Sequence, residues 1–315
     1  MKILPQLLVT GCAGFIGSNF VDEACKSGYR VLGVDSLNGQ LYSSQIKLEN
    51  LSMISGNSNF SFVNSDIGFF GGASQAEYLI NFAGLPGQRL SWQIPFDYNY
   101  ANIVAPINLV KNLSAYSSLK HIIHISTSSV YGKAATDSED SLLEPISPYG
   151  DSKLAAEFAM KSLAKSLGIK LTILRLFSVY GPRQRPDMAF YKIISSLLSG
   201  DKFNLFGSGE QSRTNTYVGD LCAWILQILE SDIEGVFNLG GGEEFQLLEI
   251  IEHLEKMSGL SLNIIFHESE LGDQIRTTAD CTKIFNKLAF RPSTRVIQGL
   301  QKQFEWQQKI STLHN

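Results

Sequence analysis

The chain has 315 residues, 44% of them hydrophobic and 18% charged, with a formal net charge of −4. That length permits one large domain or two smaller ones, and the mild acidity speaks against nucleic acid or an anionic membrane as partner. Its four cysteines, Cys12, Cys25, Cys222 and Cys281, are widely spaced without a CxxC or Cys/His cluster, so reduced thiols in a cytoplasmic protein are expected, and no metal site.

No apolar run reaches the roughly 18 residues needed to span a bilayer. The opening segment runs straight into a glycine loop, so it reads as a first strand and not as a signal peptide. Leu7–Thr10 is that strand, followed by Gly11-Cys12-Ala13-Gly14-Phe15-Ile16-Gly17, a helical stretch over Ser18–Ser27, and a strand over Tyr29–Asp35. A dinucleotide explains each piece. The glycines permit a tight turn, close approach of backbone to pyrophosphate and close helix packing, and the helix N-terminus offers N–H groups to phosphate. Asp35 can accept from an adenosine ribose, and its charge would repel a 2′-phosphate, which favours NAD over NADP.

A short helix is expected within Tyr42–Leu51 and a third strand over Asn59–Val63. Asp66-Ile67 then suits either the adenine edge of the cofactor or a helix cap. Tyr78–Asn81 predicts a fourth strand, leading to the small residues of Phe82-Ala83-Gly84. Pro95–Ser117 reads as a helix with a kink near Asn102–Pro106, because an internal proline loses a hydrogen bond. Lys120–Ile125 is an apolar strand in which His121 and His124 alternate with isoleucines, as sheet residues and not as ligands. Ser126-Thr127-Ser128-Ser129 follows at its C-terminal end, the usual ligand side of a parallel sheet.

Ser147-Pro148-Tyr149-Gly150-Asp151-Ser152-Lys153 places Tyr149 and Lys153 four apart, on one face of a helix that Gly168 would end. A phenol is a poor base, with an ordinary pKa of about 10. A nearby ammonium and a positively charged nicotinamide ring would lower it, and the Thr127 hydroxyl could share its proton. Such a pair also arises by chance; the glycine loop upstream is what ties it to a cofactor. Lys170–Arg175 predicts another strand. Beyond it lie a turn-rich segment with Arg183 and Arg185, a helix over Ala189–Leu198, a strand and turn over Phe203–Gly209, and a loop with Arg213. A helix over Asp220–Ser231, a strand over Val236–Leu239 and a helix over Leu247–Ser258 complete this reading. The three arginines, with no matching acid cluster, suit a diphosphate, whose oxygens guanidinium forks bind well.

Together GCAGFIG, Asp35, Asp66-Ile67, FAG, STSSVYG, YGDSKLAAE, RLFSVYGPRQRPDMAF and FGSGEQSR resemble the extended short-chain dehydrogenase/reductase superfamily, in its NAD-dependent nucleotide-sugar epimerase/dehydratase branch. The resemblance runs from about Leu7 to Trp306. It implies an α/β fold: a doubly wound, Rossmann-like parallel sheet over residues 1–175, rejoined by a strand near 236–239, and a smaller mixed α/β substrate domain over 176–315. It also implies a homodimer packed through Pro95–Ser117 and Pro148–Leu167. RPDMAF and Gly87-Gln88-Arg89-Leu90-Ser91 look like UDP-glucuronate 4-epimerases, and no acid follows Thr127 as it does in dehydratases and decarboxylases.

By that resemblance Gly11, Gly14, Phe15, Ile16, Gly17, Asp35, Asp66, Ile67, Ala83, Asn102, Tyr149, Lys153 and Phe177 would hold NAD. Thr127, Tyr149 and Lys153 would be catalytic. Arg89, Thr127, Ser128, Ser129 and Ser178 would face the sugar, and Arg185, Arg213 and Arg276 the UDP moiety. Thr277 falls where some epimerases place a bulky gate. The expected reaction is inversion at C4 through a transient 4-keto sugar, with tightly held NAD. Epimerisation of a UDP-N-acetylhexosamine or its uronate, decarboxylation of UDP-glucuronate, and a silent NAD-binding scaffold are the alternatives. Asn81, Ala105-Pro106, Thr214-Asn215, Gly219 and a short Asp66–Tyr78 connection depart from the family's usual pattern.

Overall fold

The computed structural model describes residues 6–71, 75–114, 118–136, 138–241, 243–268 and 276–313. Strand β1 (Gln6–Thr10) leads through the glycine turn into helix α1 (Phe15–Lys26) and strand β2 (Arg30–Asp35). Helix α2 (Ser44–Ser52) and strands β3 (Phe60–Asn64) and β4 (Tyr78–Asn81) follow. Short helices α3 (Gln88–Ser91) and α4 (Pro95–Asn99) lead through a π-helical turn at Tyr100–Val104 into α5 (Ala105–Ser114). Strand β5 (His121–Thr127) and a 3-10 turn at Ser128–Tyr131 precede β6 (Ala134–Ala135), α6 (Pro148–Leu167) and β7 (Lys170–Leu176).

The second half contains β8 (Ser178–Tyr180), α7 (Ala189–Ser199), β9 (Lys202–Phe206), β10 (Ser212–Tyr217), α8 (Val218–Ser231) and β11 (Gly235–Leu239). It ends with β12 (Glu244–Gln246), α9 (Leu247–Ser258), β13 (Asn263–His267), β14 (Arg276–Thr277), α10 (Thr282–Lys287) and α11 (Val296–Leu313).

Seven strands form one parallel sheet in the order β11-β7-β5-β4-β1-β2-β3. Strand order reverses between β1 and β4, which opens a crevice beyond their carboxyl ends where ligands of such sheets bind. Apolar side chains pack on both faces, as a doubly wound sheet requires. One core gathers Phe20, Val21, Trp224 and Ile225 from α1 and α8, and another gathers Leu109, Val110 and Met160 from α5 and α6. A smaller mixed sheet runs β12-β10-β14-β6, with β8 also on β10, and β9 pairs with β13.

Local chemistry explains the element ends near the crevice. Ser147 caps α6 by accepting from the Gly150 N–H at 3.2 Å, Pro148 occupies the first turn, and Gly168 closes the helix at φ 65°. The kink expected at Asn102–Pro106 is realised as the π turn, so the proline that cannot donate falls where the hydrogen-bond ladder changes period. The last three residues of the helix expected over Pro95–Ser117 lie outside the described residues. Strand β5 runs two residues past the expected Ile125, carrying Ser126 and Thr127 in register with Arg175 and Leu176.

Candidate active site

Gly11, at φ 67°, makes the turn after β1, and its N–H donates to Val34 O. A Cβ at Gly17 would lie 2.1 Å from Gly11 O, and one at Gly11 would lie 2.8 Å from Ala83 N. Only hydrogen fits at either place. Gly14 caps α1 with no side-chain acceptor, leaving the orphan N–H groups of the first turn to an outside anion. Phe15 is buried and Ile16 packs against the same core, which anchors this helix end.

Asp35 ends β2. Its Oδ2 accepts from Ala13 N at 3.1 Å, and its Oδ1 accepts from Leu37 N at 2.9 Å and lies 3.4 Å from Lys47 Nζ. Asp66 closes a turn, its Oδ1 accepting from Gly68 N at 2.7 Å and Tyr100 OH at 3.2 Å, and Ile67 is buried. No helix begins there, so Asp66 closes a turn and caps no helix. Asn102 stands in the π turn. Its amide binds both the N–H and the carbonyl of Leu85, at 2.8 and 3.1 Å, and donates to Ser152 Oγ at 2.9 Å. The glycine cradle, the uncapped helix end and the strand-end carboxylate fit a dinucleotide.

At the carboxyl end of β5, the Thr127 side chain faces the Tyr149 phenol. Thr127 Oγ1 also accepts from Ser129 N at 3.2 Å and lies 3.2 Å from Ser129 Oγ; Ser128 is buried beside them. Burial pushes the Tyr149 pKa up, and the Thr127 hydroxyl works against it. Arg185 is the cation whose charge opposes that rise. Lys153 instead donates to Ile125 O at 2.6 Å, and burial lowers its pKa to about 8 against the upward pull of Glu157. Tyr98 packs edge-on to Tyr149, ring centroids 6.1 Å apart, and donates to Pro86 O and Gly87 O at 2.8 and 2.9 Å.

Two of the three arginines have acidic partners. Arg185 forms a fork on Asp187, with two bonds of 2.9 Å, and Arg183 donates to Ser18 O at 2.8 Å beside Asp22. Arg183 thus ties its loop to α1. Arg213 reaches Thr277 Oγ1 at 3.5 Å, bringing those two candidates together. Arg276 points elsewhere: it is exposed, and it forks onto Glu244 at 2.8 and 3.0 Å. Its charge, with Ser212 and Thr278, holds the Glu244 carboxyl down to about 2. Arg89 lies 5.1 Å over the Phe206 ring, linking the loop after β4 to the end of β9. Phe177 is buried where β7 meets β8, and Ser178, half-buried, pairs with Asn215.

The histidines behave as sheet residues. His121 Nε2 meets Thr172 Oγ1 at 2.8 Å, and His124 Nδ1 meets Asn81 Nδ2 at 3.0 Å. Thr10 donates to Asn81 Oδ1 at 2.6 Å, so Asn81 joins β1 to β5. Three residues near the base escaped sequence reasoning: Gln88, Tyr98 and Glu157. Glu157 could have been found from its spacing, four beyond Lys153. The other two become neighbours of Thr127 and Tyr149 only through the fold. Among the described residues no His/Cys/Asp/Glu group could hold a metal, and no helix is long and apolar enough to cross a membrane.

Residues 7–240 match the NAD dependent epimerase/dehydratase family. The chain is 34% identical over 308 residues to an uncharacterized UDP-glucose epimerase of Bacillus subtilis (strain 168), covering 96% of this chain and 97% of that protein. It is 31% identical over 308 residues to a UDP-glucuronate 4-epimerase of Thermodesulfobacterium geofontis (strain OPF15), covering 95% of each. The crystal structure of UDP-glucuronic acid 4-epimerase from Bacillus cereus, in complex with UDP-glucuronic acid and NAD, superposes with a TM-score of 0.92. The two share 37% identity over 97% of this chain and 99% of that one. The chain belongs to the NAD dependent epimerase/dehydratase family.

Proposed function

We propose that this protein is an NAD-dependent 4-epimerase of a UDP-sugar, with UDP-glucuronate as substrate. The observation that carries this reading is the convergence of Thr127, at the carboxyl end of β5, with Tyr149 and Lys153 on α6, whose ammonium donates to Ile125 O of that strand at 2.6 Å, one strand from the crevice that the glycine loop borders. Similarity to UDP-glucuronate 4-epimerases at about a third identity over nearly the whole chain supports the substrate.

In this reading Gly11, Gly14 and Gly17, with the first turn of α1, receive the cofactor pyrophosphate. Asp35 accepts from the adenosine ribose and disfavours a 2′-phosphate. NAD, when bound, accepts and returns the C4 hydride. Tyr149 takes the proton from the C4 hydroxyl, with Thr127 in the hydrogen-bond path. Lys153 keeps two N–H donors beyond the one on Ile125 O, and these can hold the second ribose. Ser128, Ser129, Ser178 and Arg89 face the sugar, whose carboxylate gains from charge-assisted bonds. Arg185 and Arg213 receive the UDP moiety, and small Thr277 leaves room for the sugar substituent. Arg276 would first have to leave Glu244.

No acid stands at Ser128, Ser129 or Val130, so nothing there assists elimination from a 4-keto sugar. Exposed Phe96 on α4, Val104 in the π turn and Phe158 on α6 suit a homodimer packed through these helices. Four unpaired, buried cysteines suit the reducing cytoplasm. The test is Tyr149→Phe: epimerisation should fall by several orders of magnitude with NAD still bound, and full activity would refute the assignment.

A further inference from the structure

Strand β8 runs into the turn Gly181–Gln184, closed by Gln184 N donating to Gly181 O at 3.2 Å. Pro182 takes its second position and Arg183, at φ 66°, its third. That is the pattern of a type II turn, whose third position ordinarily falls to glycine or asparagine. A long side chain keeps a left-handed backbone only where its surroundings hold it, and such residues gather at functional sites. Here helix α1 supplies the hold. Arg183 Nη1 donates to Ser18 O at 2.8 Å, and its Nη2 lies 3.5 Å from Asp22 Oδ2. Asn19 Nδ2, from the same helix, donates to Pro182 O at 3.0 Å.

Helix α11 grips the turn from another side. Gln303 Oε1 accepts from Gly181 N at 2.8 Å, and its Nε2 donates to Gln184 Oε1 at 2.7 Å, both glutamines being buried. Arg185 is the next residue, its guanidinium oriented by the fork on Asp187. We propose that Arg183 is a positioning residue: its grip on α1 holds the left-handed turn from which Arg185 reaches the nucleotide-sugar, and so fixes that arginine relative to the helix that receives the cofactor. The proposal rests on the reading of Arg185 as a ligand of the UDP moiety. The residue type carries the argument. Glycine would make this turn with less strain, but it would leave the turn without its guanidinium tie to α1.

The test is a double-mutant cycle in the full-length, NAD-loaded protein, with UDP binding read by titration calorimetry. Arg185→Met should weaken UDP by about ten- to a hundredfold, the loss of a charge-assisted bond. Arg183→Gly, which keeps the turn and removes the tie, should weaken it by about three- to tenfold. With Arg185 gone there is nothing left to position, so the double variant should bind UDP as weakly as Arg185→Met and no weaker. A charge acting through space, or a general loosening of the fold, would instead add its own loss. Additive losses, or unchanged UDP affinity in Arg183→Gly, would overturn the proposal and leave the reading of Arg185 standing. Unchanged affinity in Arg185→Met would remove that reading and the proposal with it. Arg183→Asn, which also accepts a left-handed backbone, repeats the cycle if the glycine variant impairs folding. Calorimetry needs no turnover, so the result holds whichever sugar is the substrate.

Discussion

Glu157 on α6 and Arg175 on β7 grip each other through two hydrogen bonds, Nε to Oε1 at 3.0 Å and Nη2 to Oε2 at 2.8 Å, with both side chains almost wholly buried. Glu157 Oε1 also accepts from Ser126 Oγ at 2.6 Å, the residue before Thr127. The helix that carries Tyr149 and Lys153 is thereby pinned to the strand that carries Thr127. Breaking a buried pair leaves one charge uncompensated, which costs about 3–5 kcal/mol. Arg175→Met should lose about that much in urea unfolding, and adding Glu157→Met should restore most of it. Equal stability of the two variants would show that the pair is not what holds α6.

Gly17→Ala tests the cofactor cradle. The new Cβ would meet the Gly11 carbonyl at 2.1 Å, and backbone cannot yield there as a side chain could. Strain of about 1–3 kcal/mol should weaken NAD binding by roughly ten- to a hundredfold. Calorimetric titration of apoprotein with NAD measures it directly; unchanged affinity would place the pyrophosphate elsewhere.

Lys153 predicts a pH dependence of stability. Its folded pKa, about 8, lies below the ordinary 10.5 because burial disfavours the ammonium. Between those values the unfolded chain binds more protons, so this group makes stability rise with pH from about 8 to 10.5. Below 8 the penalty is complete, on the order of 3 kcal/mol. Lys153→Met should flatten that rise in denaturant midpoints taken between pH 8 and 10, below the range where Tyr149 itself titrates. A wild-type slope in the variant would contradict the assignment.

Phe158 is 57% exposed on α6 and Phe96 86% exposed on α4. If these faces pack in a dimer, a charge at Phe158 must be desolvated there. Phe158→Glu should therefore shift sedimentation from dimer to monomer with secondary structure intact. A wild-type protein that is already monomeric would remove the proposed interface.

Much of the site was legible because its signals are local. The glycine turn between β1 and α1, Asp35 at a strand end, and Ser147-Pro148 before Tyr149 each declare themselves within a few residues. What stayed hidden depends on residues brought together from afar. Strands β6 and β14 are two residues long, too short for any periodicity, and β14 pairs with β10 across some sixty residues. Lys153 shares a helix face with Tyr149, yet its ammonium turns to Ile125, a choice made by packing against β5 and invisible in the spacing. Arg276 reads as available until the fold brings Glu244, thirty-two positions away, across from β12 as its own acid partner. Gln88 gained meaning only when the loop after β4 reached Ser129, forty-one residues on.

The most direct measurement incubates the purified protein with UDP-glucuronate and NAD, without added reductant, and resolves the products by proton NMR. The account predicts the galacto epimer, with total UDP-sugar unchanged and no carbon dioxide released. Carbon dioxide with a UDP-pentose would make the protein a decarboxylase. Inertness towards UDP-glucuronate, with inversion of a UDP-N-acetylhexosamine, would contradict the substrate while sparing the base. No turnover of any UDP-sugar by a protein that still binds NAD would contradict the account as a whole.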